Sequence, residues 1–481
     1  MLKRIPALLL GALLSVPAFA GPQEQVVVAL PEPAAISELV RENVAALQAR
    51  AADSPRAYDL VASLTTEVGP RLAGSSGDRA AVAWALTKLR ELGFQNVRAE
   101  SVEVPHWERG QLVAEIVEPF PQKMAAVSLG GSIGTPADGI TAPVVAVGDL
   151  DELALLKPSQ VRNHIVYINN RMTRERDGSG YGPAVRKRGN GAIEAAKLGA
   201  VGVVIRSVGT DNNRLGHTGA MRYAEGVKRI PAIALSNPDA DILDRQLAAG
   251  RKVVFRMNSS ARYLPNAMSA NVVGEIPGRE KPEEIVLLAA HLDSWDVGTG
   301  AHDDGAGVAI VTAAAKLIGE LRQPPQRTIR VVLYANEEFG LSGAKTYALE
   351  HAKELDKHVL AMEADFGAGR VWNFSSKVPE DRLPQIAAIQ QLLEPMGIEW
   401  VGNNAYGGAD IGPIRALGVP VVQPGQDGSL YFDLHHTDND TLDKIDPVQL
   451  NQNVAAYATA AYVAAMVKNT FGRLPVEKSG E

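Results

Sequence analysis

Apolar and polar positions repeat with different periods along the chain, and the changes of period divide it. From Ile36 to Leu92 apolar residues recur at three and four, the spacing of amphipathic helices, with Asp78 to Leu92 the clearest helix after the loop Val68-Gly69-Pro70-Arg71-Leu72-Ala73-Gly74-Ser75-Ser76-Gly77. Val97 to Val104 reads as a strand. Beyond Arg109-Gly110 short β-rich runs take over, among them Ala142 to Val147, Ile165 to Ile168 and Val201 to Ile205, separated only by short helices such as Ala192 to Leu198. From Ala270 the pattern becomes strand, loop, helix: Ile285 to Ala289 then Val308 to Leu321, Thr328 to Ala335 then Ser342 to Leu355, His358 to Met362 then Leu383 to Met396. Pro420-Val421-Val422 adds a short strand, and Pro447 to Lys468 a closing amphipathic helix.

Such alternation predicts an α/β fold with a mostly parallel central sheet flanked by helices, interrupted by a β-rich insert. The expected division is a leader over residues 1–20, the first part of the main domain over 21–110, the insert over 111–263, and the remainder of the main domain over 264–470. A chain of 481 residues exceeds what one core supports, which agrees with two domains.

Composition narrows the chemistry. A net charge of -7 gives no electrostatic reason to expect nucleic acid. Cysteine is absent, so any metal site must be built from His, Asp and Glu. Lys3 and Arg4, the apolar run Ile5 to Val16 and the small-x-small site Ala18-Phe19-Ala20 form a secretory leader, with cleavage expected after Ala20 and a secreted or periplasmic product. No later segment is long and apolar enough to span a membrane.

The chemistry gathers where strands end. Behind Ile285-Val286-Leu287-Leu288 lies AHLDSWDVGTGAHDDGAG, Ala290 to Gly307, with two histidines and four aspartates in eighteen residues. Asn336-Glu337-Glu338-Phe339-Gly340 follows Val331-Val332-Leu333, Glu363-Ala364-Asp365 follows Val359 to Met362, and His435-His436-Thr437-Asp438-Asn439-Asp440-Thr441 lies past the last strand. Parallel strands expose their carboxyl ends on one edge. His291, Asp303, Glu337, Glu338, Asp365 and either His435 or His436 therefore converge. Clustered carboxylates repel one another unless neutralised, and this donor set suits two divalent cations, zinc above all. A carboxylate can bridge cations about 3.5 to 4 Å apart, leaving a free carboxylate as general base toward a water held between them. Neighbours at a strand end point apart, so Glu337-Glu338 suits that division of labour.

Five ordered motifs carry a resemblance: His-x-Asp, Asp-Asp-Gly-x-Gly, Asn-Glu-Glu-x-Gly, Glu-x-Asp and His-x-x-x-Asp-Thr. Together they resemble the co-catalytic di-zinc aminopeptidase and glutamate carboxypeptidase family of metallopeptidases, and HLDSWDVGTGAHDDGAG is similar to its plasma glutamate carboxypeptidase branch. The likeness runs from about Tyr58 to Met466 and implies that the insert is a protease-associated domain. It implies a zinc exopeptidase with two Zn2+ per chain, acting on dipeptides or short peptides through a metal-bound hydroxide, and a homodimer. It also makes His291 and Asp365 ligands of one zinc, Asp303 the bridge, Glu338 and His436 ligands of the other, and Glu337 the base. His436 is preferred to His435 because Asp440 stands four residues after it. Asp293 would orient His291, the Asp303-Asp304 peptide would be cis, and the loop Tyr406-Gly407-Gly408-Ala409-Asp410 would line the substrate cleft, with Asp410 set to hold a substrate ammonium.

Two other functions compete on the same scaffold: a one-zinc acyltransferase resembling glutaminyl cyclases, and a binding protein without catalysis. The full ligand set argues against the first and Glu337 against the second. His302 reads as a rim histidine, Trp295 as packing, His217 and His351 as structural residues without partners. The runs Arg174 to Asp177 and Arg186-Lys187-Arg188 read as exposed loops, or as a wall of the cleft if the insert folds over it.

Overall fold

The structure is a computed structural model describing residues 29–477; the leader expected over 1–20 lies outside them. Two eight-stranded sheets organise the chain. The first runs in the order Gln95–Glu108, Arg262–Ile276, Arg327–Tyr334, Lys281–His291, His358–Glu363, Val421–Gln426, Val371–Lys377, Glu399–Trp400. Its four middle strands are parallel, whereas the pairings of Gln95–Glu108, Arg262–Ile276 and Val371–Lys377 with their inner neighbours are antiparallel. The sheet is thus mixed rather than mostly parallel. Of its antiparallel strands, Gln95–Glu108 contains the expected Val97 to Val104, whereas Arg262–Ile276 and Val371–Lys377 escaped the sequence because WNFSSK and the polar start of Arg262–Ile276 lack a continuous apolar run.

Period-two side-chain direction divides the central strand between two cores. Val286, Leu288 and Ala290 face one side and Ile285, Leu287 and Ala289 the other. On the first side the helix Ala306–Gly319 is buried except at Lys316 and its last residue, because its alanines and glycines let it approach both the sheet and the helix Pro447–Met466. That closing helix is also buried over nearly its whole length rather than along one stripe, being covered by Glu38–Ala52, Leu383–Leu393 and Ala306–Gly319. Each large side chain buried here contributes ~1.5–3 kcal/mol. Among the described residues no helix is long and apolar enough to cross a membrane.

Residues 112–259 build the second sheet, in the order Gln122–Lys123, Leu112–Glu118, Val254–Ser259, Ile140–Val147, Ile165–Ile168, Gly202–Arg206, Ala232–Leu235, Ala126–Ser128. One of its helices, Tyr181–Lys197, spans 17 residues and absorbs Arg186-Lys187-Arg188. The exposed-loop reading of that run fails: Lys187 and Arg188 are buried, their charged ends meeting the carbonyl oxygens of Asn170 and Thr218. Arg174 to Asp177 is exposed as expected, yet it reaches the first unit through Arg174–Asp433 at 2.6 Å and Arg176–Asp427 at 2.8 Å. Arg109, just past the strand Gln95–Glu108, donates to the carbonyl of Ser128 and, at 2.9 Å, to the hydroxyl of Thr218 in the second unit. These ties hold the second sheet's loops over the carboxyl edge of the first.

Candidate active site

The parallel strands Lys281–His291, Arg327–Tyr334 and His358–Glu363 end side by side, which brings His291, the Glu337-Glu338 turn and Asp365 together. Asn336, at φ 60°, turns the chain after the middle strand, a backbone region that asparagine tolerates better than most residues. Asp303 stands at the centre. Its Oδ1 lies 3.1 Å from His291 Nε2, and its Oδ2 lies 3.2 Å from His436 Nε2. Asp365 Oδ1 is 3.4 Å from the same nitrogen of His291, and Glu338 Oε2 is 3.0 Å from that of His436. One carboxylate thus faces two separate imidazole and carboxylate pairs. His435 Nε2 is farther from Asp303, at 3.7 Å, and its ring stacks on His436.

The surroundings fix these groups by their backbones. Asp440 accepts from the amides of His302 at 2.6 Å and Asp303 at 3.2 Å. Asp304, joined to Asp303 by a cis peptide, accepts from the amides of His291 and Gly307, each at 3.1 Å. Arg71, fully buried, donates to the carbonyls of Leu292, Thr299 and Gly300 and staples the loop that carries the aspartates. The Asp293 carboxylate holds the amides of Glu337 at 3.0 Å and Glu338 at 3.4 Å, while His291 Nδ1 donates to the Asp293 carbonyl oxygen at 3.0 Å and lies 3.5 Å from its carboxylate. Arg71 and Glu363 were given no role by the sequence reading, and Asp440 served there only to choose His436 over His435; the Asp-Thr and Glu-x-Asp of the motifs were the available signals.

Electrostatics show the strain of so many acids. Burial, then the surrounding carboxylates, push Glu337 and Glu338 well above the usual range. Burial works against the charged form of Asp303 too, but His291 and His436 outweigh it and hold that carboxyl well below. Burial would depress His291, yet Asp365, Asp293 and Asp303 raise it well above its ordinary value. Asp303 Oδ2 and Glu338 Oε1 are buried without a hydrogen bond. Buried carboxylate oxygens rarely go unsatisfied, and the donor atoms of His291, Asp303 and Asp365, like those of Asp303, His435 and His436, lie within 4.8 Å of one another. Orphaned oxygens in a His and carboxylate cluster fit divalent cations of the zinc type.

The glycine-rich loop is placed differently from expectation. Glu363 accepts from the amides of Asp410 at 3.1 Å and Ile411 at 2.9 Å, and a Cβ at Gly408 would lie 2.2 Å from its Oε2, so the loop closes around it only with glycine there. Burial, with Asp365 nearby, lifts Glu363 to about 8. Gly407, Gly408 and Ala409 line a cavity with Glu363, Asp365 and Asp177, but Asp410 is fully buried behind them with neither carboxyl oxygen exposed or paired. Asp410 is therefore not placed to meet a substrate ammonium. Tyr406 is 58% exposed with Arg415 against its ring, outside the same cavity.

Three histidines also depart from expectation. His302 is buried, not at a rim, and lines a different cavity with Leu430, Tyr431 and Leu434. His217 has partners: Nε2 lies 2.6 Å from Asp211 Oδ1, and Nδ1 lies 2.8 Å from the carbonyl oxygen of His435. His351 is held between Glu100 and Glu354. Trp295 is buried packing, edge-on to His436.

Residues 271–461 match peptidase family M28, and the chain is 39% identical to carboxypeptidase Q of Mus musculus over 85% of its own length and 86% of that protein's. The chain belongs to peptidase family M28. Carboxypeptidase Q of Homo sapiens is 37% identical over 87% of each chain. A solved M28 peptidase precursor from Shewanella amazonensis SB2B shares 50% identity and superposes with a TM-score of 0.90, over 91% of this chain and 99% of that one. A zinc aminopeptidase of Bacillus subtilis, 19% identical, shares the fold at a TM-score of 0.60 over 88% of this chain and 98% of its own. The M28 chain is thus a metallopeptidase whose cluster lies at the strand ends of a mixed α/β fold.

Proposed function

We propose that the protein is a di-zinc exopeptidase for dipeptides or short peptides, working at Asp303. The observation that carries this reading is the division of its two oxygens between His291 with Asp365 and His436 with Glu338. These five residues would hold the two cations. When bound, the cations supply Lewis acidity, polarising a scissile carbonyl and easing loss of a proton from water. Glu337, beside Glu338 with its amide fixed on Asp293, takes that proton and passes it to the leaving amine.

In this reading residues 111–263 form a protease-associated insert between the segments 21–110 and 264–470. Export after cleavage behind Ala20 and pairing into a homodimer belong to it as well, supported by the leader pattern and the family likeness.

The test is elemental analysis of the purified mature protein, with dipeptide hydrolysis measured before and after chelation. About two zincs per chain, and activity that a chelator abolishes and zinc restores, is the expected result. One zinc with acyl transfer would favour the cyclase-like reading. Zinc-reconstituted protein that hydrolyses no peptide would favour a binding role.

A further inference from the structure

The strand Val371–Lys377 is half polar, and its two faces look onto different surroundings. Phe374 turns into the main core, as does Val422 of the neighbouring strand Val421–Gln426. The period of two then puts Asn373 and Ser375 on the opposite face, where they pair in register with Gly425 and Gln423. All four border the cavity of about 300 Å3 that reaches Glu363 and Asp365. A Cβ at Gly425 would stand 2.0 Å from Asn373 Oδ1, so glycine there lets the Asn373 side chain lie against the neighbouring strand.

These polar groups have no partners of their own. Gln423 Oε1 accepts from the amides of Tyr406 at 3.1 Å and Gly407 at 2.9 Å, which turns its NH2 the other way. Among the described residues that NH2, the Asn373 carboxamide and the Ser375 hydroxyl make no hydrogen bond, although all three residues are half-buried. The charged residues on the same cavity are all acids: Asp177, Glu363 and Asp365. Arg176, next to Asp177 in the chain, is turned onto Asp427 at 2.8 Å and onto the Trp372 ring at 4.2 Å.

The chemistry of the walls discriminates among side chains. An apolar group seated here would strip water from three neutral polar groups and give nothing back. A carboxylate would face Asp177, and like charges oppose one another. An ammonium offers only donors, which the Gln423 NH2 cannot accept. A carboxamide offers a carbonyl to that NH2 and an NH2 to the oxygens of Asn373 and Ser375.

We propose that this cavity selects substrates by a carboxamide side chain, read by Asn373, Ser375 and Gln423. The inference rests on the peptidase reading and adds to it the side-chain class of the substrate.

Asparagine, aspartate and leucine side chains have nearly one shape, so dipeptides joining each of them, or lysine, to alanine in both orders separate hydrogen bonding from size and charge. Hydrolysis is measured as kcat/KM with the zinc-loaded full chain, and binding by calorimetry in a Glu337→Gln background, where turnover does not interfere. In one of the two orders the asparagine peptide should exceed the other three by about 10-fold or more. Asn373→Leu combined with Ser375→Ala, which breaks no side-chain hydrogen bond within the protein, should move the preference to leucine. The comparison on the unaltered chain stands whether or not that variant folds. Leucine, aspartate or lysine peptides handled as well as the asparagine one, or a folded double variant with its preference unchanged, would overturn the proposal and leave the peptidase reading intact. Tighter binding of the asparagine peptide without hydrolysis of any of the four would overturn the peptidase reading and leave the subsite standing.

Discussion

His436 Nδ1 rests 3.3 Å from the carbonyl oxygen of Thr218, and the Thr218 amide donates back to the carbonyl of His436 at 3.0 Å. Thr218 belongs to the second sheet's unit, and so does His217, which donates to the His435 carbonyl. His291 is held instead within its own loop, on the carbonyl of Asp293. His436 and His291 therefore differ in what orients them, and in the proposed di-zinc reading an outer partner of this kind is typically worth 10- to 100-fold in metal affinity, to order of magnitude. His217→Ala should weaken one step of a zinc titration against a competing chelator and spare the other. Equal weakening of both steps would reduce His217 to a general structural role.

Glu337 makes no contact with the Asp303 groups that its neighbour Glu338 joins. Glu337→Gln should keep the metal content and lose turnover by on the order of 10² to 10⁴. Elemental analysis beside kcat separates the two effects, and an undiminished kcat would remove Glu337 from the proton transfer.

Asp303 meets both halves of the cluster, so Asp303→Asn should weaken both metals at once. The replacement keeps the shape and the grip of Asp440 on the backbone amide, which isolates the effect of the lost charge. Stoichiometry falling by only one would show that Asp303 serves a single cation.

The strand-end motifs were legible because they are local: His291, Asp303, Glu337-Glu338 and Asp365 each follow an apolar run, and parallel pairing makes those ends neighbours. What stayed hidden is non-local. Arg188 and Thr218 stand more than two hundred residues before His436, and nothing in Arg186-Lys187-Arg188 announces that the adjacent Lys187 and Arg188 turn inward on a helix while Arg186 stays out. The burial of Asp410 could not be read either, since it depends on Glu363 drawing the glycine-rich loop around itself. The antiparallel strand Val371–Lys377 was missed because half of its residues are polar and its pairing with Val421–Gln426 supplies the order that its composition does not.

Lys187 offers a prediction independent of the metals. Its side chain is 2% exposed, and its Nζ donates to the carbonyl of Asn170. Burial, then Arg206 and Arg188, pulls the ammonium down from 10.5 to about 7. In that window the unfolded chain binds more protons than the folded one. Stability from this group therefore rises with pH through the window, by at most about 1.4 kcal/mol per pH unit, and its cost is fully present below it. Lys187→Met removes the titration. Melting temperatures of both proteins near the two ends of the window should show the wild type gaining on the variant as pH rises, and parallel shifts would mean that Lys187 keeps an ordinary proton affinity in the fold.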